Sequence, residues 1–255
     1  MKRIEILGCP MDVATIGETS DVITNAIKAD QFIQHVVVNV AKLVNMRSDS
    51  ALDRSVRECD IINIDGMGLV FAARLLGYDV RERVAGIDLF HRLVGESAVQ
   101  NMPIFLLGGT QGVVEKAASN IEISYPNVRI AGIHHGYFWD DEPSVVKLVR
   151  DSGAKLLFVA VTSPKKENFI ARWQAELGVN FVMGVGGTFD ILAGKINRAP
   201  FWMQSIGMEW LYRLLQEPVR LFGRYARTNG IFALLLAREM LLERRAPRHT
   251  NGPET

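Results

Sequence analysis

Four short segments join glycines to titratable or aromatic residues directly after an apolar run. They are IDGMG at 64–68, LGGTQG at 107–112, IHHGYF at 133–138 and VGGTFD at 185–190. Glycine after a strand lets the backbone approach a ligand closely, and the following helix presents unpaired N–H groups to a phosphate. Any one such loop also serves as an ordinary tight turn; four together favour a ligand that carries phosphate. They supply Gly108, Gly109, Tyr137, Gly186, Gly187 and Asp190 as candidate binding residues. Asp65 closes the apolar run IINI and reads either as a cap for the next helix or as a base aimed into a cleft. His134 and His135 are further acid–base candidates. Neighbours on a strand end should point to opposite faces, which leaves one of them to packing. His35 and His91 have no such context and read as structural.

Several chemistries are excluded by what the loops lack. A dinucleotide site needs GxGxxG after the first strand and an acid about 20 residues later. Here LGGTQG has adjacent glycines, and the next strand ends in two histidines. That counts against NAD and a Rossmann-type dehydrogenase. No Walker lysine motif is present, which excludes a P-loop ATPase. No Asp-x-Asp occurs, so the simplest acidic clamp for a metal-bound nucleotide diphosphate is missing. Asp140-Asp141-Glu142 reads as a solvated turn and helix start. No metal and no cofactor are expected.

The elements that must position these loops alternate. Strands read at 3–8, 35–40, 61–65, 102–109 and from 128, then in AKLLFVAVTSP at 154–164 and VNFVMG at 179–184. Helices read at 20–29, 40–47, 112–126, 143–152 and 165–177. That order implies an α/β fold: a Rossmann-like, largely parallel sheet with helices on both faces. In such sheets ligands bind beyond the carboxyl ends of the strands, where these loops converge. From about Ala199 the pattern changes to amphipathic helices, broken at Pro218 and Gly230, with a frayed APRHTNGPET at the end. The chain therefore divides into an α/β catalytic domain at 1–198 and a basic helical appendage at 199–255.

Composition sets the outer bounds. With 255 residues, 48% hydrophobic and 22% charged, the chain can bury a large core. A net charge of +1 is far from that of a generic nucleic-acid binder, and no nucleic-acid partner is expected. Cys9 and Cys59 lie outside any ligand spacing and read as packing residues in a reducing compartment. The N-terminus does not read as a signal peptide. The longest apolar run near the other end, IFALLLA, is far short of the ~20 residues a membrane span needs. A cytoplasmic protein is expected, one that can still lie on a membrane. Residues 200–255 hold eight arginines, no lysine and five glutamates, so they carry a net +3 and the rest a net −2.

The blocks DGMGLV at 65–70, RVAGIDL at 83–89, FLLGG at 105–109, HHGYF at 134–138 and SPKKE at 163–167 extend the pattern. So do MGVGGTFDILAGKINRAP at 183–200 and GMEWLYRLLQEPVRL at 207–221. Together they resemble the WecG/TagA/CpsF glycosyltransferase family over roughly residues 35–230. The resemblance implies transfer of a hexosyl group, such as N-acetylmannosamine or its uronic acid, from a UDP-sugar to a polyprenyl-diphosphate-linked sugar. The setting it implies is the cytoplasmic face of the membrane, in cell-surface polysaccharide synthesis. It gives Asp65 the role of base and places Arg83 at the diphosphate, with Asn39 among the binding residues. Two departures stand out. The family's Thr-x-Asn reads Val37-Val38-Asn39, and its Pro-Lys-Gln-Glu reads Pro164-Lys165-Lys166-Glu167. Both suggest a subfamily whose donor or acceptor differs.

A lipid acceptor requires contact with the bilayer. Arg220, Arg224 and Arg227 fall at i, i+4 and i+7, on one face of a helix, with Leu221, Phe222 and Tyr225 as an apolar flank. With Arg213 they are the candidate membrane and acceptor residues. The same face also reads as a solvated helix end or a homo-oligomer contact. Trp202, Trp210 and Tyr212 read either as core packing or as aromatic contacts at the membrane interface. A different class of function also fits: an inactive nucleotide-sugar-binding regulatory or assembly protein, which the loss of a hydroxyl at Val37 favours. Release of UDP on turnover separates the two.

Overall fold

The computed structural model describes residues 1–245; the tail 246–255 and the side chains of Arg220 and residues 243–245 lie outside the described residues. Eight strands form one sheet: β1 (Lys2–Ile6), β2 (Cys9–Val13), β3 (Ile33–Val38), β4 (Ile61–Ile64), β5 (Ile104–Gly108), β6 (Ile130–His134), β7 (Leu156–Ala160) and β8 (Phe181–Gly184). Their order is β1-β2-β4-β3-β8-β7-β5-β6, parallel throughout except for the β1–β2 hairpin at one edge. The helices are α1 (Ile16–Lys28), α2 (Val40–Met46), α3 (Ser50–Arg57), α4 (Met67–Leu75), α5 (Gly86–Gln100) and α6 (Gln111–Ser124). After them come α7 (Glu142–Asp151), α8 (Lys165–Trp173), α9 (Thr188–Leu192), α10 (Phe201–Ser205), α11 (Glu209–Gln216) and α12 (Pro218–Arg245).

Side-chain alternation sorts the strands onto two apolar layers. Ile104, Leu106, Leu156, Phe158, Phe181 and Met183 pack with α1, α5 and α6 on one face. Phe105, Leu107, Leu157, Val159 and Val182 pack with α7 and α8 on the other. On that same side Val36, Val38, Ile62 and Ile64 meet α2, α3 and α4. Burial on both faces explains why these strands read as continuous apolar runs. The expected fold is the observed one.

Three local differences have physical causes. The segment read as one strand at 3–8 is the first arm of a hairpin, turning at Leu7 and Gly8 with φ of 50° and 73°. A leucine in that backbone region gives no sequence signal for a turn. Arg47 Nη2 holds its carbonyl at 2.6 Å, and Arg57 holds the carbonyl of Gly8. Helices α3, α4 and α5 fill the stretch between 50 and 100 where no helix is expected. Neither α4 nor α5 has a side-chain cap, so neither announces its start. Finally, Gly230 does not break a helix: α12 runs through it from Pro218 to Arg245. A helix-interior glycine costs ~1 kcal/mol relative to alanine. Packing of Ile231, Phe232, Leu235 and Leu236 into the core beside α2 outweighs that cost.

Candidate active site

Asp65 sits one residue past β4, and its N–H donates to Val38 O at 2.8 Å, so the parallel ladder carries it to the rim of the sheet. Gly66, with φ of 102°, turns the chain into α4 and occupies the N-cap position without a side-chain bond. Asp65 is therefore not the cap of that helix. The Val84 N–H donates to Ile64 O at 2.9 Å and brings Arg83 beside Asp65 from 18 positions away. Burial pushes the Asp65 carboxyl up to about 6 against the pull of Arg83; Glu209 pushes it further up, while Arg213 and Lys42 draw it down. The C-terminal arm, α10–α12, thus contributes two charges to the surroundings of Asp65, one of each sign.

Those charges belong to a chain of ion pairs. Arg83 Nη2 meets Glu209 Oε2 at 2.8 Å, and Arg198 Nε lies 3.4 Å from Glu209 Oε1. Arg198 then forks onto Asp88, in the first turn of α5, with bonds of 2.5 and 2.8 Å. Arg213 reaches over the β8–α9 loop, where a Cβ built on Gly187 would lie 3.5 Å from its Nη2. A second, buried cluster sits at the ends of β3 and β8. Lys42 and Lys166 both reach Glu167 Oε1 at 2.8 Å, and the Lys166 stem lies where a side chain on Gly184 would be. Burial and the nearby Lys42 bring Lys166 down to about 8. The two lysines together hold Glu167 at about 2 despite its burial.

The predicted binding residues line the same rim. Asn39 caps α2, its Oδ1 accepting from Lys42 N at 3.0 Å, while Val37 packs against Gly86. Gly108 has φ of 139°, and a Cβ there would lie 2.3 Å from Ala160 O, so β5 and β7 close to backbone contact. A Cβ on Gly136 would meet Gly108 Cα and Gly109 N at 3.2 Å, which ties the β6 loop to the β5 loop. Thr110 begins α6 without a capping bond. Tyr137 is 71% exposed at the mouth. Gly186 has φ of 53° and open space around it, and Asp190 pairs with Lys195 at 3.3 Å.

Other candidates resolve differently. The His134 and His135 rings do not point apart: their centroids are 4.3 Å from each other, and His134 Nδ1 lies 2.8 Å from His135 O. β6 ends at His134, so strand alternation no longer governs the next residue. His35 is buried on Asn63 at 2.9 Å, and burial lowers it to about 4. His91 bonds the Tyr125 hydroxyl at 3.0 Å. Cys9 and Cys59 are buried free thiols, each pushed up to about 12 by burial. Asp141 caps α7, and Glu142 pairs with Arg172 and Trp173. Among the described residues no group of acids, histidines and cysteines could hold a metal ion.

In the arm, Arg224 and Arg227 are exposed, while the Arg220 side chain lies outside the described residues. Leu221, expected on the outward apolar flank, is buried at the root of α12; Tyr225 is half-buried, edge-on to Trp210. Phe222, Phe201, Trp202 and Trp210 are exposed, which sets aside core packing for these tryptophans. Among the described residues no helix is long and apolar enough to cross a membrane. Sequence reading missed Glu209, Arg198, Asp88 and Lys42, although the first three lie in blocks that carry the family resemblance.

N-acetylglucosaminyldiphosphoundecaprenol N-acetyl-beta-D-mannosaminyltransferase of Bacillus subtilis (strain 168) is 36% identical over 156 residues, which cover 61% of this chain and 60% of that protein. The family profile described as Glycosyl transferase WecG/TagA/CpsF family matches residues 4–246, nearly the whole described chain. That match takes in Asp65 and the glycine loops at the sheet rim, and the chain belongs to the WecG/TagA/CpsF glycosyl transferase family.

Proposed function

We propose that this protein is a hexosyltransferase that moves a sugar from a UDP-sugar to a polyprenyl-diphosphate-linked sugar, with Asp65 as general base. The observation that carries the reading is Asp65 itself. It is a carboxylate at a strand end, not used for capping, held at about 6 and subject to the charges of Arg83, Arg213 and Lys42 at the glycine-rich rim of the sheet. A base of that pKa is largely ionised at pH 7 and still holds a proton well enough to receive one. Asp65 accepts the proton of the acceptor hydroxyl as its oxygen bonds to the anomeric carbon. The bond from that carbon to the UDP oxygen breaks, and UDP leaves with the electron pair.

The leaving diphosphate gains negative charge, which Arg83 and Arg213 oppose together with the open N–H groups at the start of α6. The donor lies over Gly108, Gly109, Gly186 and Gly187, with Tyr137 and Asp190 at its rim and Asn39 near the transferred sugar. This electrostatic set needs no divalent ion. The B. subtilis relative's name specifies an undecaprenol-linked N-acetylglucosaminyl diphosphate acceptor, which supports the acceptor class.

Residues 199–255 act in this reading as the membrane-facing appendage of the 1–198 catalytic domain. The exposed Phe201, Trp202 and Phe222 lie on the same arm as Arg224 and Arg227, an interfacial composition suited to the cytoplasmic face of a bilayer. The deciding experiment is a screen of UDP-sugars against a polyprenyl-diphosphate-linked sugar, read by UDP release and product mass in the presence of EDTA. Transfer of one hexose in EDTA is the expected result. UDP binding without turnover on any donor would make the protein a nucleotide-sugar-binding component instead.

A further inference from the structure

Glu209 is where the arm meets Arg83, beside Asp65. One of its oxygens accepts from Arg83 Nη2 at 2.8 Å and the other lies 3.4 Å from Arg198 Nε, while Arg198 forks onto Asp88. The side chains of Arg83, Glu209 and Arg198 are all at least three-quarters buried. Both ends of this four-residue chain are rooted in the segment 83–88; the acid in the middle comes from α11. Among the described residues Arg83 makes no other hydrogen bond or ion pair. A guanidinium has five donors in a rigid fork, and Nη2 belongs to both edges that can grip two oxygens, Nε–Nη2 and Nη1–Nη2; one bond through Nη2 occupies one of these edges and leaves the other open to two phosphate oxygens. On a long, rotamer-rich side chain, a single buried bond of this kind selects one direction for that edge.

We propose that Glu209 is a positioning residue that fixes Arg83 with its free edge toward the leaving diphosphate. The inference rests on the functional reading above. Arg198 and Asp88 steady the acid from behind. A rival role is easily stated, because Glu209 also brings negative charge close to an anionic ligand. As a mere bystander it would repel UDP, and its removal would tighten binding whether or not Arg83 is present. As a holder of Arg83 it does the reverse, and only while Arg83 is there.

Calorimetric titration of UDP into the full chain separates the two by sign. The set is the parent, E209A, E209D, R83A and the doubles E209A/R83A and E209D/R83A. E209A is expected to weaken UDP binding by ~5-fold or more with Arg83 present and not to weaken it in the R83A background. E209D keeps the charge but shortens the reach. A bystander would leave its affinity unchanged, whereas a positioning role weakens it only with Arg83 present. E209D also serves if E209A does not fold. Tighter UDP binding in E209A, unchanged binding in E209D, or equal weakening with and without Arg83 overturns the proposal. A parent chain that does not bind UDP would defeat the glycosyl-transfer reading as well, a result distinct from a flat cycle in a parent that binds.

Discussion

Helix α5 lays Leu89, Phe90, Leu93 and Val94 against the sheet without leaving any of them accessible. Helix α11 has no buried residue at all, and the arm around it turns Phe201, Trp202, Ile206, Leu215, Val219 and Phe222 outward. Both come from a chain that buries six phenylalanines almost completely elsewhere. Exposed apolar side chains occur in the core too, at Phe71, Leu75, Val99 and Ile123, but the arm concentrates them. It is attached in two ways, by charge at Glu209 and Arg213 and by apolar contact at Leu221 and Phe232. Scattered exposed apolar residues are ordinary, and a run of aromatic and aliphatic side chains on consecutive short helices is what the proposed membrane-facing role requires. Core and arm differ in what they face, and they share one titrating centre.

The largest expected effect isolates the core's side of that division. Asp65→Asn should lower turnover by ~10²–10⁴ and leave both UDP binding and vesicle binding intact. Turnover close to the parent's would remove Asp65 from the mechanism. Next comes the arm alone. Replacing Arg220, Arg224 and Arg227 with Glu removes about 1 kcal/mol of attraction per arginine to anionic lipid, so partitioning onto such vesicles should fall by ~100-fold or more. In the parent the same attraction should fade with salt, since screening acts over ~8 Å at physiological ionic strength. UDP affinity should hardly move. A triple variant that still sediments with anionic vesicles would assign this face to contact between copies of the chain.

A subtler measurement sharpens the coupling between the regions. As a base, Asp65 works ionised, so kcat/KM should fall about tenfold per pH unit below about 6 and level off above it. The groups that set this limb are Arg83, Lys42, Glu209 and Arg213. Glu209→Gln removes a negative neighbour and should move the limb to lower pH; Arg213→Gln removes a positive one and should move it higher. Limbs that stay in place in both variants would mean that the arm does not reach the titrating centre in solution. The smallest effect lies wholly within the core. Lys166 is lowered to about 8, so the folded chain holds that proton less tightly than the unfolded chain does. Stability lost to its charge below pH 8 should return between about pH 8 and 10.5. Urea unfolding of Lys166→Gln should lack that rise relative to the parent.

The sheet was legible because strands buried on both faces read as unbroken apolar runs, and Asp65 was legible because an acid at the end of such a run is conspicuous. The β1–β2 turn was not, since Leu7 adopts a backbone region that its side chain does not advertise. Helix α12 was misread at Gly230 because propensity is weighed without the core that Phe232 meets. Arg83 entered through family resemblance alone. Glu209 and Arg198 lay in blocks that carry the resemblance, but their roles could not be read from either residue's neighbours. Arg83 and Glu209 are 126 positions apart, Arg198 and Asp88 110, and no periodicity or local motif pairs charges across such separations.

The crowding at Gly108 has a genetic consequence. A methyl group there would meet the carbonyl of Ala160, an atom every amino acid carries, whereas a methyl group on Gly132 would meet the ring of Phe105. The second injury has a remedy, because shrinking Phe105 makes room. The first has none, since no substitution at 160 removes a backbone oxygen. Gly108→Ala should therefore be a lesion without second-site suppressors at its contact, while Gly132→Ala should yield revertants at 105.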